Sequence, residues 1–287
     1  MKNRRGNMLV TLQQILKMAQ DGNYAIPAFN VYNVECIIGA IDAAEEAKAP
    51  VILQVYPRLV QDGLAYYLAP AIVAAAKKAS VPVCFHLDHG PSELEMTRAL
   101  YWGASGIMLD GSLHNFEENV RVTKHAVEVC GHVGVGVEGE LGHIGTVNDI
   151  EMDPFTNVDE AAQFVKETGV TALAVLVGNA HGRYKRPPKL DIDRIHDIYE
   201  STGHTPLVLH GGSGIPDDQI RLAVKAGIRK MNFATDICFT FMDTVEEELK
   251  KPDKVVTIDL FMRKPTEAVK KFCLRKIELL DAAGKAE

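Results

Sequence analysis

Val81-Pro-Val-Cys-Phe-His-Leu-Asp-His-Gly90 is an apolar run of strand length that ends in two side chains able to carry chemistry, Asp88 and His89. The pattern recurs in Ala172-Leu-Ala-Val-Leu-Val-Gly-Asn-Ala-His181 and in Pro206-Leu-Val-Leu-His210. If these runs are strands of one parallel barrel, their C-terminal ends converge. Three neutral imidazoles could then hold one metal ion and leave a coordination position open to substrate. Fold and function rest on the same segments.

Outward from these segments, strand-length apolar runs alternate with helical periodicity along the chain, and no low-complexity linker interrupts them. The pattern predicts strands over 24–29, 51–55, 81–87, 104–109, 133–138, 172–177, 206–210 and 228–233. Between them it predicts helices near 33–48, 65–79, 92–102, 115–130, 158–168, 191–201, 216–226 and 237–250. An amphipathic helix precedes the first strand, and an additional one near 265–281 closes the chain. Eight such units in 287 residues match an α/β fold of the (β/α)8 TIM-barrel type, read as a single domain over 1–287. A doubly wound sheet is the competing fold. It would carry a Gly-rich turn after its first strand, where this chain has Phe29-Asn-Val-Tyr-Asn33.

The net charge is −7, with acids and bases interspersed, which argues against a nucleic-acid surface. No apolar stretch approaches the ~20 residues that span a bilayer, and no signal peptide is evident, so a cytoplasmic location without a membrane partner is expected. The five cysteines are scattered, with no CxxC pair, and read as reduced core residues.

Val137-Glu-Gly-Glu-Leu-Gly142 ends the fifth predicted strand with two acids spaced to share one side of the pleat, where burial without a cation or donor is costly. Asp110, closing Ser105-Gly-Ile-Met-Leu-Asp110, could join Glu140 there. His210-Gly-Gly-Ser-Gly214 has the small residues that let backbone amides approach a phosphate, and the next strand ends in Met231-Asn-Phe-Ala-Thr-Asp236. Lys185 is a candidate counter-charge. The other histidines, His86 and His143 among them, lack the three-strand pattern and read mostly as surface or ordinary hydrogen-bonding groups. The stretch 141–157 has no clear pattern and reads as a mobile lid over the active face.

Pro27-Ala-Phe-Asn30, Asp88-His89-Gly90, Glu138-Gly-Glu-Leu-Gly142, His181-Gly-Arg-Tyr-Lys185, His210-Gly-Gly-Ser-Gly214 and Asn232-Phe-Ala-Thr-Asp236 occur in an order that resembles the class II, metal-dependent fructose-bisphosphate and tagatose-bisphosphate aldolase family. The resemblance implies zinc bound by His89, His181 and His210, with Asp88 as the acid/base serving the aldehyde oxygen. It also implies that Asp110 and Glu140 lie at an alternative or second cation position, divalent or monovalent. Gly182, Lys185, Gly211, Ser213, Asn232 and Thr235 would hold a dihydroxyacetone phosphate donor, with Gly212 and Ala234 in the same cradle. Family resemblance further favours a homodimer or larger homo-oligomer acting on phosphorylated ketose and aldehyde substrates.

The chain departs from the family pattern at three places. Asn148 stands where a loop Glu commonly exchanges the donor proton, and Asp149 is the nearest substitute. Ala234 and Cys238 stand where fructose-bisphosphate members carry Asp and Arg, and the Ala resembles tagatose-type members. Thr266 replaces an Arg that meets the far phosphate, leaving Arg58 and Arg263 as candidates. These departures predict a retained donor-phosphate site with weaker preference for a second phosphate. A metal-dependent sugar-phosphate isomerase or epimerase, a silent sugar-phosphate binder and a Schiff-base aldolase on Lys230 remain alternatives, although Lys230 reads better as a polar member of strand eight.

Overall fold

The computed structural model describes residues 8–147, 155–182, 184, 187–253 and 257–286. Eight strands, β1 (Ile26–Asn30), β2 (Val51–Val55), β3 (Val83–Gly90), β4 (Gly106–Leu109), β5 (Gly136–Leu141), β6 (Ala172–Val175), β7 (Leu207–Leu209) and β8 (Ile228–Phe233), pair in sequence order. Every pairing is parallel, and β8 closes on β1 with Ala28 opposite Asn232. The expected (β/α)8 barrel is the observed fold.

The helices follow the predicted alternation. They are α1 (Leu12–Gly22), α2 (Val34–Ala47), α3 (Pro57–Gln61), α4 (Leu64–Lys78), α5 (Glu93–Tyr101), α6 (Phe116–Gly131), α7 (Val158–Thr168), α8 (Ile192–Ser201), α9 (Asp217–Ala226), α10 (Thr235–Leu249), α11 (Ile258–Phe261) and α12 (Arg263–Leu279). Side-chain caps fix several starts: Thr11 and Gln14 form a capping box on α1, and Ser92, Asn115 and Asn157 accept from first-turn amides of α5, α6 and α7. The short α3 and α11 have too few residues to show a period, and sequence pattern alone did not separate them from loops.

α1 closes the N-terminal end of the barrel. Leu12, Ile15, Leu16 and Ala19 are buried there, and Leu12 N donates to Ser105 O just before β4. At the outer wall α12 lies against α2 so closely that a Cβ on Gly39 would meet Thr266 O and Val269 Cγ1 at 2.9 Å. Gly39 therefore sets that helix spacing, and the Thr266 hydroxyl donates to Met262 O at the start of α12.

Two strands run further than their apolar cores. β3 continues through Asp88, His89 and Gly90, and β5 through Glu138, Gly139 and Glu140 to Leu141. Between Leu87 and Gly90 the pairing advances three residues on β3 but only two on β4, which is a one-residue bulge. His89 takes φ 48°, a left-handed conformation that is costly for a side chain with a Cβ. Successive strand residues ordinarily face opposite ways. The bulge and the left-handed turn break that rule at the barrel mouth, where Asp88 and His89 line the same cavity.

Candidate active site

Pleat alternation places polar residues at two depths inside the barrel. Lys230, Glu138 and His86 are fully buried, and two residues nearer the mouth on the same strands come Asn232, Glu140 and Asp88. Asn30 on β1 and Gln54 on β2, paired in register, join this upper group.

His89, His181 and His210 come from the ends of β3, the β6 segment and β7. One ring nitrogen from each lies within 4.8 Å of the others. His89 Nδ1 faces Asp110 Oδ2 at 2.8 Å, and His210 Nε2 faces Glu138 Oε1 at 2.7 Å. Both carboxylates accept only, so each of these imidazole nitrogens carries the proton. The remaining nitrogens, His89 Nε2 and His210 Nδ1, then present lone pairs to each other at 2.8 Å. Two lone pairs at that separation repel unless a proton or a cation lies between them. His181 Nε2 is buried and makes no hydrogen bond among the described residues. The donor set fits a divalent ion of zinc type.

A second group, His89, Asp110 and Glu140, also gathers its ligand atoms within 4.8 Å. Glu140 Oε2 is 3.9 Å from both His89 Nδ1 and His210 Nδ1, and Oε1 accepts from Ile144 N at 2.9 Å. Asp110 is held by Ser112, whose Oγ donates at 2.6 Å and whose amide donates at 3.0 Å.

The local electrostatics call for positive charge. Burial opposes protonation of His89, but Asp88, Asp110 and Glu140 outweigh it and push its pKa up to about 10. Burial, reinforced by Asp110, raises Glu140 to about 8. Burial and the charge of its neighbours His89 and His210 push His181 down to about 3. Burial also opposes ionisation of Asp88, but His89, His210 and Lys230 overcome it, so the carboxylate form is favoured.

Asp88 is oriented from both sides. Asn30 Nδ2 donates to Oδ2 and Asn232 Nδ2 to Oδ1, each at 2.9 Å. Behind Asn30 stands Gln54 Nε2 at 2.7 Å, and behind Asn232 stands Lys230 Nζ at 2.7 Å. Lys230 also forms an ion pair with Glu138 Oε2 at 2.8 Å. It is fully buried and does not line the open cavity, which speaks against a Schiff-base role.

The cavity above the histidines has a volume of about 460 Å³. Asp88, His89, Asp110 and His181 meet Ala234 and Thr235 in its wall. Arg58 and Cys238 also line it, and Arg58 is hydrogen-bonded to the Tyr56 hydroxyl. Arg263 and Thr266 do not line it.

The turn after β7 is shaped by close approach. Gly211 has φ 63°, and a Cβ there would fall 2.0 Å from Ala180 O. Gly212 N donates to Asn232 O at 3.2 Å, so that amide is already engaged within the barrel wall. Ser213 is buried and accepts from Asp236 N at 3.1 Å, tying the turn to the first turn of α10. Gly182 has φ 107° just beyond His181. Lys185, Asn148 and Asp149 lie outside the described residues.

The expected lid overlaps that gap. Its described beginning is fastened to the His181 segment: His181 N donates to Gly145 O and Val147 N to His181 O, both at 2.9 Å. At its other end Thr156 bonds Leu141 O and Leu176 N.

Sequence pattern underestimated two histidines. His86 is buried in the barrel interior with Nε2 3.4 Å from Glu138, and His143 lines the cavity with Nδ1 3.1 Å from Ser112 Oγ. Gln54 was missed as well, although a lone amide in Val51-Ile-Leu-Gln-Val55 was its available signal.

A closed parallel barrel with histidines and carboxylates at its C-terminal mouth defines a metal-compatible enzyme site. The family model described as fructose-bisphosphate aldolase class-II matches residues 10–285, and the chain belongs to that family of lyases. It is similar to the uncharacterized protein YdjI of Escherichia coli strain K12, with 39% identity over 284 residues, covering 98% of this chain and 100% of YdjI. It is also similar to the fructose-bisphosphate aldolase of Geobacillus stearothermophilus, with 37% identity over 289 residues, covering 97% of this chain and 99% of that enzyme. The X-ray structure of the YdjI aldolase from Escherichia coli K12 superposes with a TM-score of 0.88 at 38% identity, covering 97% of this chain and 100% of that one.

Proposed function

We propose that the chain is a zinc-dependent aldolase that reversibly cleaves a ketose phosphate, with dihydroxyacetone phosphate as donor. The observation that carries this reading is the convergence of His89 Nε2 and His210 Nδ1 to 2.8 Å with His181 beside them. His89, His181 and His210 would hold the ion, and Asp110 with Glu140 offer a second position for a divalent or monovalent cation. Bound zinc supplies a Lewis acid for the ketone oxygen.

The chain's own residues supply the proton carrier at the aldehyde oxygen and the donor-phosphate cradle. In cleavage Asp88 takes the proton from the hydroxyl whose carbon becomes the aldehyde, and in condensation it returns that proton to the new alkoxide. Two amide donors keep its carboxylate aimed. The donor phosphate would sit near the turn Gly211-Gly212-Ser213 and the start of α10 at Ala234 and Thr235, with Asn232 below, Gly182 just beyond His181, and Lys185, outside the described residues, as its counter-charge. The five cysteines are free, which suits a reducing cytoplasm. Among the described residues no helix is long and apolar enough to cross a membrane. A homodimer or larger homo-oligomer is part of the proposal and rests on family membership.

A cleavage screen of ketose 1-phosphates and 1,6-bisphosphates, with metal content measured on the same preparation, tests this reading. Aldolase action yields two shorter products, whereas an isomerase or epimerase preserves the carbon count. Zinc-loaded protein that binds sugar phosphates without converting them would be a silent binder and would overturn the proposal.

A further inference from the structure

A lysine with no solvent exposure inside a barrel must be matched by acceptors, because an unpaired buried ammonium is strongly disfavoured. Among the described residues Lys230 has one hydrogen-bond acceptor, Asn232 Oδ1 at 2.7 Å, and one ion-pair partner, Glu138 Oε2 at 2.8 Å, and they lead in different directions. One leads to Asp88 and the other to His210.

Donor and acceptor rules fix both branches. An ammonium only donates, so it must face the oxygen of the Asn232 amide, and Nδ2 is then left to donate to Asp88. A flipped amide would put N–H groups against the ammonium and an oxygen against the carboxylate. On the other branch Lys230 Nζ stands 2.8 Å from Glu138 Oε2 and fixes that end of the carboxylate. The second oxygen of Glu138 accepts from His210 Nε2, which leaves the His210 Nδ1 lone pair toward His89. Gln54 performs the first task for Asn30 on the opposite side of Asp88, but among the described residues its own amide oxygen has no hydrogen-bond partner.

We propose that Lys230 is a positioning residue that sets the amide direction of Asn232 toward Asp88 and, through Glu138, the tautomer of His210. It rests on the proposed reading of Asp88 as acid/base and His210 as ligand. It adds that the two are set by one buried cation, so a single substitution below the site disturbs both.

Lys230→Met alone would leave Glu138 charged and buried and could fail to fold. The double variant Lys230→Met/Glu138→Gln removes both charges and keeps an acceptor for His210. Zinc affinity, read by competition with a chromophoric chelator, should fall about 10–100-fold in it, the usual size for losing support behind a metal ligand. Cleavage kcat should fall over a similar range while KM for the ketose phosphate changes little. Adding Asp88→Asn should then cost much less than it does in the unaltered enzyme, because Asp88 is already misdirected. In unaltered metal-free protein, ¹⁵N spectra of histidine should show His210 protonated at Nε2.

Unchanged zinc affinity, an undiminished cost of Asp88→Asn, or His210 protonated at Nδ1 overturns the inference. If unaltered zinc-loaded protein shows no cleavage, the aldolase reading fails, and the zinc-affinity and tautomer measurements still decide the role of Lys230.

Discussion

The two ends of the barrel are built on opposite terms. At the N-terminal end α1 lays Leu12, Ile15, Leu16 and Ala19 into a dry contact, and Val10, Leu12 and Val83 pair their amides with backbone carbonyls. At the C-terminal end Asp88, Glu138, Glu140, His181, His210 and Lys230 gather in and above the interior, and Glu140 Oε2 and His181 Nε2 make no hydrogen bond among the described residues. The first end is closed by apolar packing. The second gathers groups that could hold a cation, and the left-handed His89 is a cost that the rest of the fold carries.

The largest expected effects separate these ends. His89→Ala, His181→Ala or His210→Ala should lower turnover by at least about 10⁴-fold, since Lewis-acid stabilisation is worth several kcal/mol, and should lower zinc retention. Ile15→Ala or Leu12→Ala at the closed end should cost about 2–5 kcal/mol of stability and leave kcat/KM of the folded fraction unchanged. Thermal unfolding and steady-state kinetics on the same variants check the contrast. Retained turnover in the histidine variants would erase it.

Next in size is Asp88→Asn, which preserves shape but removes the proton carrier. Turnover should fall roughly 10²–10⁴-fold with zinc still bound. Near-native condensation by this variant would place the proton step on another group.

The third effect is a pH dependence. Metal-free His89 has its pKa pushed up to about 10, so near neutrality it must lose a proton before its second nitrogen can bind an ion. Zinc affinity should therefore rise with pH, by up to about tenfold per unit, and level off above the His89 value. Calorimetry in buffers of different ionisation enthalpy should register about one proton released at pH 7. Zero release would contradict the metal-free electrostatics of the open end.

The smallest effect concerns the far side of the cavity. Ala234 and Cys238 bring no charge there, Thr266 does not line the cavity, and Arg58 does. A missing charge-assisted contact costs on the order of 1.5–3 kcal/mol, so preference for a 1,6-bisphosphate over a ketose 1-phosphate should be at least about tenfold weaker than in a fructose-bisphosphate aldolase. Comparing kcat/KM on the two substrates measures it. A strong bisphosphate preference that Arg58→Ala abolishes would assign the distal contact to Arg58.

The sequence was most legible where one period dominates. Val51–Val55, Ile228–Phe233 and Val158–Thr168 have the expected bounds, because apolar runs and helical spacing end abruptly there. Strand ends were harder where function changes composition: β3 and β5 continue through Asp88-His89-Gly90 and Glu138-Gly-Glu140 because barrel pairing, not apolarity, carries the backbone on. The three histidines could be read from recurrence at strand ends. His86 and Gln54 could not, since their importance comes from facing Glu138 and Asn30 across the interior. A linear string does not display those neighbours.

The most direct measurement is turnover of a ketose phosphate by chelator-stripped protein as zinc is added in steps. Activity should be near zero without metal, rise linearly, and reach its plateau at about one zinc per chain, the count for one site of three histidines. Full turnover in the stripped protein, or capture of substrate on Lys230 by borohydride, would contradict the account.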